Sequence, residues 1–407
     1  MKKLLLVTTI PDTLEGFFLP LAQHMRSQGW QVDGMAFEIS ECAACVEAFD
    51  RTWDVSWSRN PLEPCNLASA PRTVRAVVQQ ENYDIVHVFT PVAAFVTRYA
   101  LRNFKPRPKT LYTALGFHFY KGAHPLKNSV FLTLEKLAGL WTDYLIIVNE
   151  EDNAAAHQHK IVPAERICHI PSGIGIDLTK FSSGQISPAD VSAVRSELGL
   201  NESQPLFLSV AEFIPRKHPQ DVIQALAHLS RSKVHLAFAG EGALLPEMKA
   251  LTARLGISDN IHFLGHRQDI PALMQTAVAV ILASEQEGLP ISVIEALCMN
   301  KPFVGTDIRG TRDLLQDGCG LLVPLADPVA LARAMAHILD HPQQAQMMAE
   351  RGQKRMKQYD VTTVLRQQER LYHKIIQSPA IAPTASNSIG DAVTLLESDK
   401  LDPSKLH

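Results

Sequence analysis

No apolar stretch of the sequence approaches the roughly 20 residues that a membrane-spanning helix needs, so any contact with a bilayer is expected to be peripheral. Met1-Lys2-Lys3 ahead of the run Leu4 to Ile10 imitates a secretory leader. That run is short, however, and Pro11-Asp12 ends it without a small-residue cleavage site, so a first buried strand is expected there. Cysteine is scarce: six residues, at 42, 45, 65, 168, 298 and 319, are scattered instead of forming a disulfide framework, and reduced thiols are expected. Cys42 and Cys45 make a single C-x-x-C with no second pair or nearby histidine, which disfavours zinc and points to cysteines on a helix face. No D-x-D occurs, which removes the commonest aspartate pair for holding a metal on a nucleotide diphosphate.

A cationic excess is missing as well, and a formal net charge of −3 argues against a nucleic acid held by phosphate contacts. Acidic residues are absent between Asp84 and Glu135, while Arg98, Arg102, Lys105, Arg107, Lys109, Lys121 and Lys127 fall in that interval. This basic island, interleaved with aromatic residues over 98–127, is expected to face an anionic membrane surface or to form an ordinary solvated basic helix.

What is present is a globular composition, 46% hydrophobic and 20% charged over 407 residues, large enough for two domains. Short β-branched runs alternate with longer amphipathic ones, the pattern of parallel sheets covered by helices. Strands are expected at Leu4 to Thr9, Gln31 to Phe37, Ile85 to Phe89, Thr110 to Thr113, Tyr144 to Val148 and Ile167 to Ile170. A second series is expected at Pro205 to Val210, Val234 to Ala239, Ile261 to Leu264, Ala277 to Ala283, Pro302 to Gly305 and Gly320 to Val323. The Gly/Ser/Pro-rich PSGIGIDLTKFSSGQISPAD lies between them, where a hinge belongs. The fold class is therefore α/β, two doubly wound Rossmann-like domains facing a cleft, with the ligand at the carboxyl ends of the strands. The domains are placed at 1–182 and 183–357, with a helix over about 358–377 packing back on the first and a disordered tail over 378–407.

In SEQEGLPISVIEAL a strand ends near Ser284, and Pro290 suits the first helical position because it needs no partner for a missing N–H. Gly288 and the first helical turn would expose amides suited to phosphate. At about 100° per residue, Glu295 lies about 40° around the axis from Ile291 and shares a face with Ile294 and Cys298. A carboxylate there needs a partner, either sugar or ribose hydroxyls or a structural base. Arg216, Lys217 and His218 follow a strand and precede a helix at Pro219, so two fixed cations sit at a strand-to-helix loop, suited to a departing diphosphate or simply exposed. Ala239-Gly240-Glu241-Gly242 resembles the start of a dinucleotide fingerprint, but Leu245 stands where a third small residue belongs, which disfavours NAD.

EGLPISVIE, with seven residues between Glu287 and Glu295, resembles the signature of retaining glycosyltransferases of family 4, which have the GT-B fold. The resemblance runs to about residue 375 and includes SVAEFIPRKHPQDVIQAL, AGEG, NIHFLGHRQDIPALM, TDIRGTRDLLQDGCGLLVPLADP and PSGIGIDLTKF. YTALGFHFYKGAHPLKN is similar to bacterial transferases that build capsular, exopolysaccharide or O-antigen units. The resemblance implies a hexosyl- or N-acetylhexosaminyltransferase that takes a nucleotide-sugar donor, often UDP-linked, and extends a polyprenyl-diphosphate-linked saccharide. It also implies a cytoplasmic enzyme, peripheral on the inner face of the bacterial plasma membrane, that needs no metal or other cofactor. By the same resemblance Glu287 contacts donor-sugar hydroxyls, Glu295 the ribose, and Gly288, Leu289, Pro290 and Ile291 the diphosphate and sugar. Lys217, helped by Arg216, neutralises the leaving diphosphate, while Gly240, His266 and Arg267 line the nucleotide pocket. His118, Tyr120 and Lys121 are the acceptor-side candidates.

Three positions depart from the family pattern: Glu212 stands where many relatives have an arginine, Leu115 where many have a histidine, and Phe18 before Leu19-Pro20 where a histidine is frequent. Two of these losses strip polar groups from the acceptor side. They keep open a non-catalytic nucleotide-sugar-binding subunit, beside a non-hydrolysing nucleotide-sugar epimerase of the same architecture.

Overall fold

The structure is a computed structural model that describes residues 1–58, 60 and 63–378; of the tail expected over 378–407, all but Ser378 lies outside the described residues. The first sheet contains β1 (Lys3–Val7), β2 (Gln31–Ala36), β3 (Arg51–Asp54), β4 (Ile85–Val88), β5 (Lys109–Ala114), β6 (Tyr144–Ile147) and β7 (Ile167–His169). Its order is β3-β2-β1-β4-β5-β6-β7, all parallel. The second contains β8 (Leu206–Val210), β9 (His235–Ala239), β10 (Ile261–Phe263), β11 (Ala279–Leu282), β12 (Phe303–Thr306) and β13 (Leu321–Val323), ordered β10-β9-β8-β11-β12-β13. The expected pair of doubly wound α/β units is present.

Central β1 shows why these strands were legible. It pairs with β2 on one side and β4 on the other, and Leu4, Leu5, Leu6 and Val7 are all buried because helices cover both faces. A strand buried on both faces reads as a continuous apolar run. The edge strand β3 was not expected: RTWD carries charged ends and no run of apolar residues, and its ends are exposed.

The helix Val361–Gln377 returns to the first unit, where Tyr372 and Ile375 enter the apolar layer under β1, β4 and β5. Its Tyr372 hydroxyl lies 2.7 Å from His87 Nδ1 on β4, and His87 Nε2 lies 2.7 Å from the Thr113 hydroxyl on β5. Complete burial holds the His87 imidazole down at a pKa of about 3, so the ring is neutral and works as a hydrogen-bonding strut. Phe18 belongs to the same layer: it is buried, with its ring centroid 3.8 Å from that of Phe89. Its place in the family pattern is thus filled by core.

In each sheet the strand order reverses once, between β1 and β4 and between β8 and β11. Loops leaving the carboxyl ends of strands at such a point splay to opposite faces and leave a crevice. In the second sheet those loops are Ala211 to His218 and Ala283 to Pro290, which carry the singled-out cations and Glu287.

Candidate functional site

The loop after β8 ends in a short turn, Pro215–Lys217, and His218 at φ 48° caps the helix Pro219–Leu229. A non-glycine residue in the left-handed region needs compensation; here His218 Nδ1 lies 3.0 Å from Asp221 Oδ2. The turn aims both cations at the β11 loop. Lys217 Nζ lies 2.6 Å from Glu287 Oε1, and Arg216 Nη1 lies 3.4 Å from the same oxygen while donating to the Gln286 carbonyl at 2.7 Å. The two loops are also tied through the backbone, Glu285 N–H to Arg216 C=O at 2.8 Å.

Beyond Glu287 the helix is Ile291–Cys298, with Pro290 as its N-cap, one residue before the first helical position expected for it. Proline has no N–H, so the expected run of amides from Gly288 to Ile291 is corrected to Gly288, Leu289, Ile291 and Ser292. Among the described residues none of these four donates to a protein acceptor. These unbonded N–H groups sit at and just before the amino end of the helix, where the positive ends of its dipoles lie.

Glu295, one turn further on, makes no hydrogen bond or ion pair among the described residues. Burial pushes its carboxyl up to about 7, against the opposing pull of the Lys180 ammonium. Of the two partners open to it from spacing, hydroxyls or a structural base, no base lies within bonding distance among the described residues.

Gly240 closes the floor on the β9 side. Its N–H bonds the Gly265 carbonyl at 2.8 Å, and a Cβ there would come within 2.0 Å of the Ala211 carbonyl oxygen, so only glycine allows the β8 and β9 loops to meet. His266 is exposed beside it, its N–H 3.4 Å from Glu241 Oε1. Arg267 is engaged elsewhere: its guanidinium forks onto Glu197 at 2.5 and 2.9 Å and onto Asp269 at 2.7 Å, which raises its pKa and removes it from the charges available to a diphosphate.

The first unit closes directly over this site. Gly288 packs on Leu115 and Gly116, so tightly that a Cβ on Gly288 would fall 1.6 Å from the Leu115 carbonyl oxygen. In the segment that follows, Phe117 and Phe119 are buried and stacked with centroids 4.8 Å apart, which turns the intervening His118 and the next Tyr120 the other way. Tyr120 donates to Glu285 Oε1 at 2.9 Å across the cleft, and burial with that carboxylate raises its pKa to about 12. His118 has an exposed edge and lies 5.1 Å from the Phe131 ring. Crowding by protein, and then Arg309, Lys127 and Arg216, hold it down to about 4, so it is neutral at pH 7. Lys121 extends to solvent, and its N–H lies 3.4 Å from Glu151 Oε1. Glu212 is exposed on the β8 loop.

A family model described as glycosyl transferases group 1 matches residues 190–355, and one described as glycosyltransferase family 4 matches residues 15–178. The EpsD protein of Bacillus subtilis (strain 168) is 33% identical over 358 residues, covering 87% of this chain and 91% of that one. The chain belongs to the glycosyltransferases. Another relative of the enzyme is the UDP-Gal:alpha-D-GlcNAc-diphosphoundecaprenol alpha-1,3-galactosyltransferase of Escherichia coli, 26% identical over 65% of this chain and 68% of that one. The crystal structure of Anabaena Alr3699/HepE in complex with UDP and glucose superposes with a TM-score of 0.77 at 22% identity, covering 92% of this chain and all of that one, which supports the GT-B fold.

One expectation for this glycosyltransferase is corrected. The basic island over 98–127 is not one surface. Arg98 is buried and bonded to Glu135 and Thr142 at 3.2 Å, Arg107 is paired with Asp143 at 2.6 Å, and Arg102 folds onto the Tyr99 ring. Lys105 precedes β5 whereas Lys121 and Lys127 follow it, so the exposed lysines lie at opposite ends of that strand. The interval looked uniform because the acids that neutralise it, Glu135 and Asp143, come later in the chain.

The sequence had not singled out Glu285, Gln286, Asp152 or Arg309, all of which bridge the two units. Gln286 donates to the Phe117 carbonyl at 3.2 Å, and Arg309 forms a buried ion pair with Asp152. The partners are 157 residues apart for the ion pair, and no spacing rule reaches that far.

Proposed function

We propose that the glycosyltransferase moves a sugar, with retention, from a UDP-linked donor to a polyprenyl-diphosphate-linked glycan in surface-polysaccharide assembly. The observation that carries this is the convergence of Lys217 and Arg216 on Glu287, the residue just before the four unbonded amides, with the loop of the first unit that holds Tyr120 bonded to Glu285 above it. The Escherichia coli relative is named for both a UDP-linked sugar and a diphosphoundecaprenol acceptor. In this chemistry the diphosphate accepts from the amides of Gly288, Leu289, Ile291 and Ser292 and from Lys217, whose three donors can serve it and Glu287 together. Glu287 accepts from sugar hydroxyls, and Glu295 takes the ribose. The acceptor hydroxyl enters from the face the diphosphate leaves, so the closed cleft acts by positioning and by relief of the leaving charge, without a metal.

Incubation with a panel of nucleotide sugars and a lipid-linked acceptor extract is expected to give acceptor-dependent release of nucleotide that EDTA leaves unchanged. A donor sugar altered without any acceptor would instead identify an epimerase, and nucleotide binding without transfer to any acceptor a binding subunit.

Two further outcomes are expected. Because Glu295 holds a proton until about pH 7, it accepts two hydroxyls fully only above that pH. UDP affinity should therefore rise several-fold between pH 6 and 8 and lose that slope in Glu295→Gln; equal slopes by calorimetry would remove Glu295 from the ribose. On the membrane side, exposed Lys121, His124, Leu126 and Lys127 cluster at the start of the helix Pro125–Gly139. At about 1 kcal/mol per lysine near an anionic surface, Lys121→Ala/Lys127→Ala should weaken sedimentation with phosphatidylglycerol vesicles by roughly 30-fold. Unchanged sedimentation would place the membrane contact elsewhere.

A further inference from the structure

Arg309 leaves the carboxyl end of β12 and is 3% exposed, yet its guanidinium points out of its own unit. One Nη bonds the Asp152 carboxylate and lies 3.3 Å from the Phe119 carbonyl; the other bonds the Phe117 carbonyl. Asp152 stands in the helix Glu150–Gln158 of the first unit and accepts from the Phe117 N–H at 3.0 Å and from Asn149 Nδ2 at 2.8 Å. Phe117 is thus held at both backbone groups, its N–H by Asp152 and its carbonyl by a cation from the opposite unit. Arg309 Cζ also lies 5.4 Å from the Tyr120 ring, and its Nε is buried without a partner. The next residue, Gly310, packs on the Gly288 carbonyl.

We infer that Arg309 and Asp152 are positioning residues that assemble the acceptor side of the cleft: the loop from Phe117 to Tyr120 takes its working shape only when the second unit supplies the Arg309 guanidinium. If the units part, Arg309 leaves two carbonyls and a buried carboxylate unpaired at once, so the loop loosens as the cleft opens. Because Phe117 and Phe119 are the anchored residues, such loosening misplaces His118 and Tyr120 between them. Arg309 also adds to the positive field that keeps His118 neutral. The link from loop order to acceptor use rests on the transfer reaction proposed above; the link from Arg309 to loop order does not.

The test compares Arg309→Met, Arg309→Lys and Asp152→Asn with the parent in the full chain. Hydrogen exchange over residues 115–121 should speed up at least tenfold in Arg309→Met and Asp152→Asn. Arg309→Lys should recover little, because the single nitrogen of a shorter lysine cannot stand in both places that the two guanidinium nitrogens occupy. The kcat/KM for a lipid-linked acceptor should fall about 100-fold in Arg309→Met, the size expected for a small misplacement of a positioned group, while the Kd for UDP stays within threefold. Unchanged exchange over 115–121 would overturn the inference, as would a loss in which UDP affinity falls in step with turnover. Should Arg309→Met fail to fold by its melting curve, the near-isosteric Asp152→Asn decides the matter by the same criteria. Faster exchange with no transfer to any acceptor would leave the positioning role standing and reject the proposed reaction.

Discussion

Lys217→Ala is expected to lower kcat by about 10²–10³-fold at saturating donor, the loss typical when one preorganised donor to a developing negative charge is removed. Lys217 is the cation nearest Glu287, at 2.6 Å, and only about a sixth of its side chain is exposed, so water screens it weakly. Arg216 cannot take its place at full strength, because its Nη1 already donates to the Gln286 carbonyl at 2.7 Å and lies 3.4 Å from Glu287. The substitution also leaves Glu287, itself buried, with a weaker partner. A rise in the KM for donor is therefore expected beside the larger loss in kcat. Turnover within threefold of the parent, with the protein folded, would show that the leaving group is not stabilised here.

Gly288→Ala tests the closed cleft. The added Cβ would sit 1.6 Å from the Leu115 carbonyl oxygen and 2.8 Å from Gly116 Cα, and both are backbone atoms of the other unit that no rotamer change can move. The units must then stay apart by more than an ångström, and a misplacement of that size costs roughly 10²-fold in a positioned reaction. Turnover should fall by at least that factor while UDP affinity, which the proposed donor site places on the second unit, changes less than fivefold. Small-angle scattering should show a wider molecule. Normal turnover in Gly288→Ala would mean that the closed contact is not the working state.

The placing of Glu287, Glu295 and Lys217 was legible because local rules govern it. Glu287 and Glu295 sit at a strand end and on the following helix, and strand ends, proline placement and helical spacing are all short-range properties. Lys217 followed from the same strand-to-helix pattern. The position of Pro290 differed by one residue, because a proline with extended ψ can cap a helix as well as start it. The ion pairing of Arg267 was not legible for a different reason: Glu197, its bidentate partner, is 70 residues earlier. The contacts across the cleft were least legible because they are made between the units. Tyr120 with Glu285, Phe117 with Gln286 and Asp152 with Arg309 are separated by 157 to 169 residues for the last two and 165 for the first. Nothing in a local pattern pairs them; only the folding of two similar units onto one another does. The basic island failed likewise, since charge along a sequence says nothing of which residues neutralise each other in space.

The most direct measurement is the proton spectrum and mass of the product formed from a UDP-sugar and a lipid-linked acceptor in the presence of EDTA. The account predicts an acceptor heavier by one glycosyl residue, with the small anomeric coupling of an α-linkage when an α-linked gluco- or galacto-configured donor is used. A large coupling from the same donor, transfer that stops with EDTA, or a donor changed without any gain in acceptor mass would contradict it.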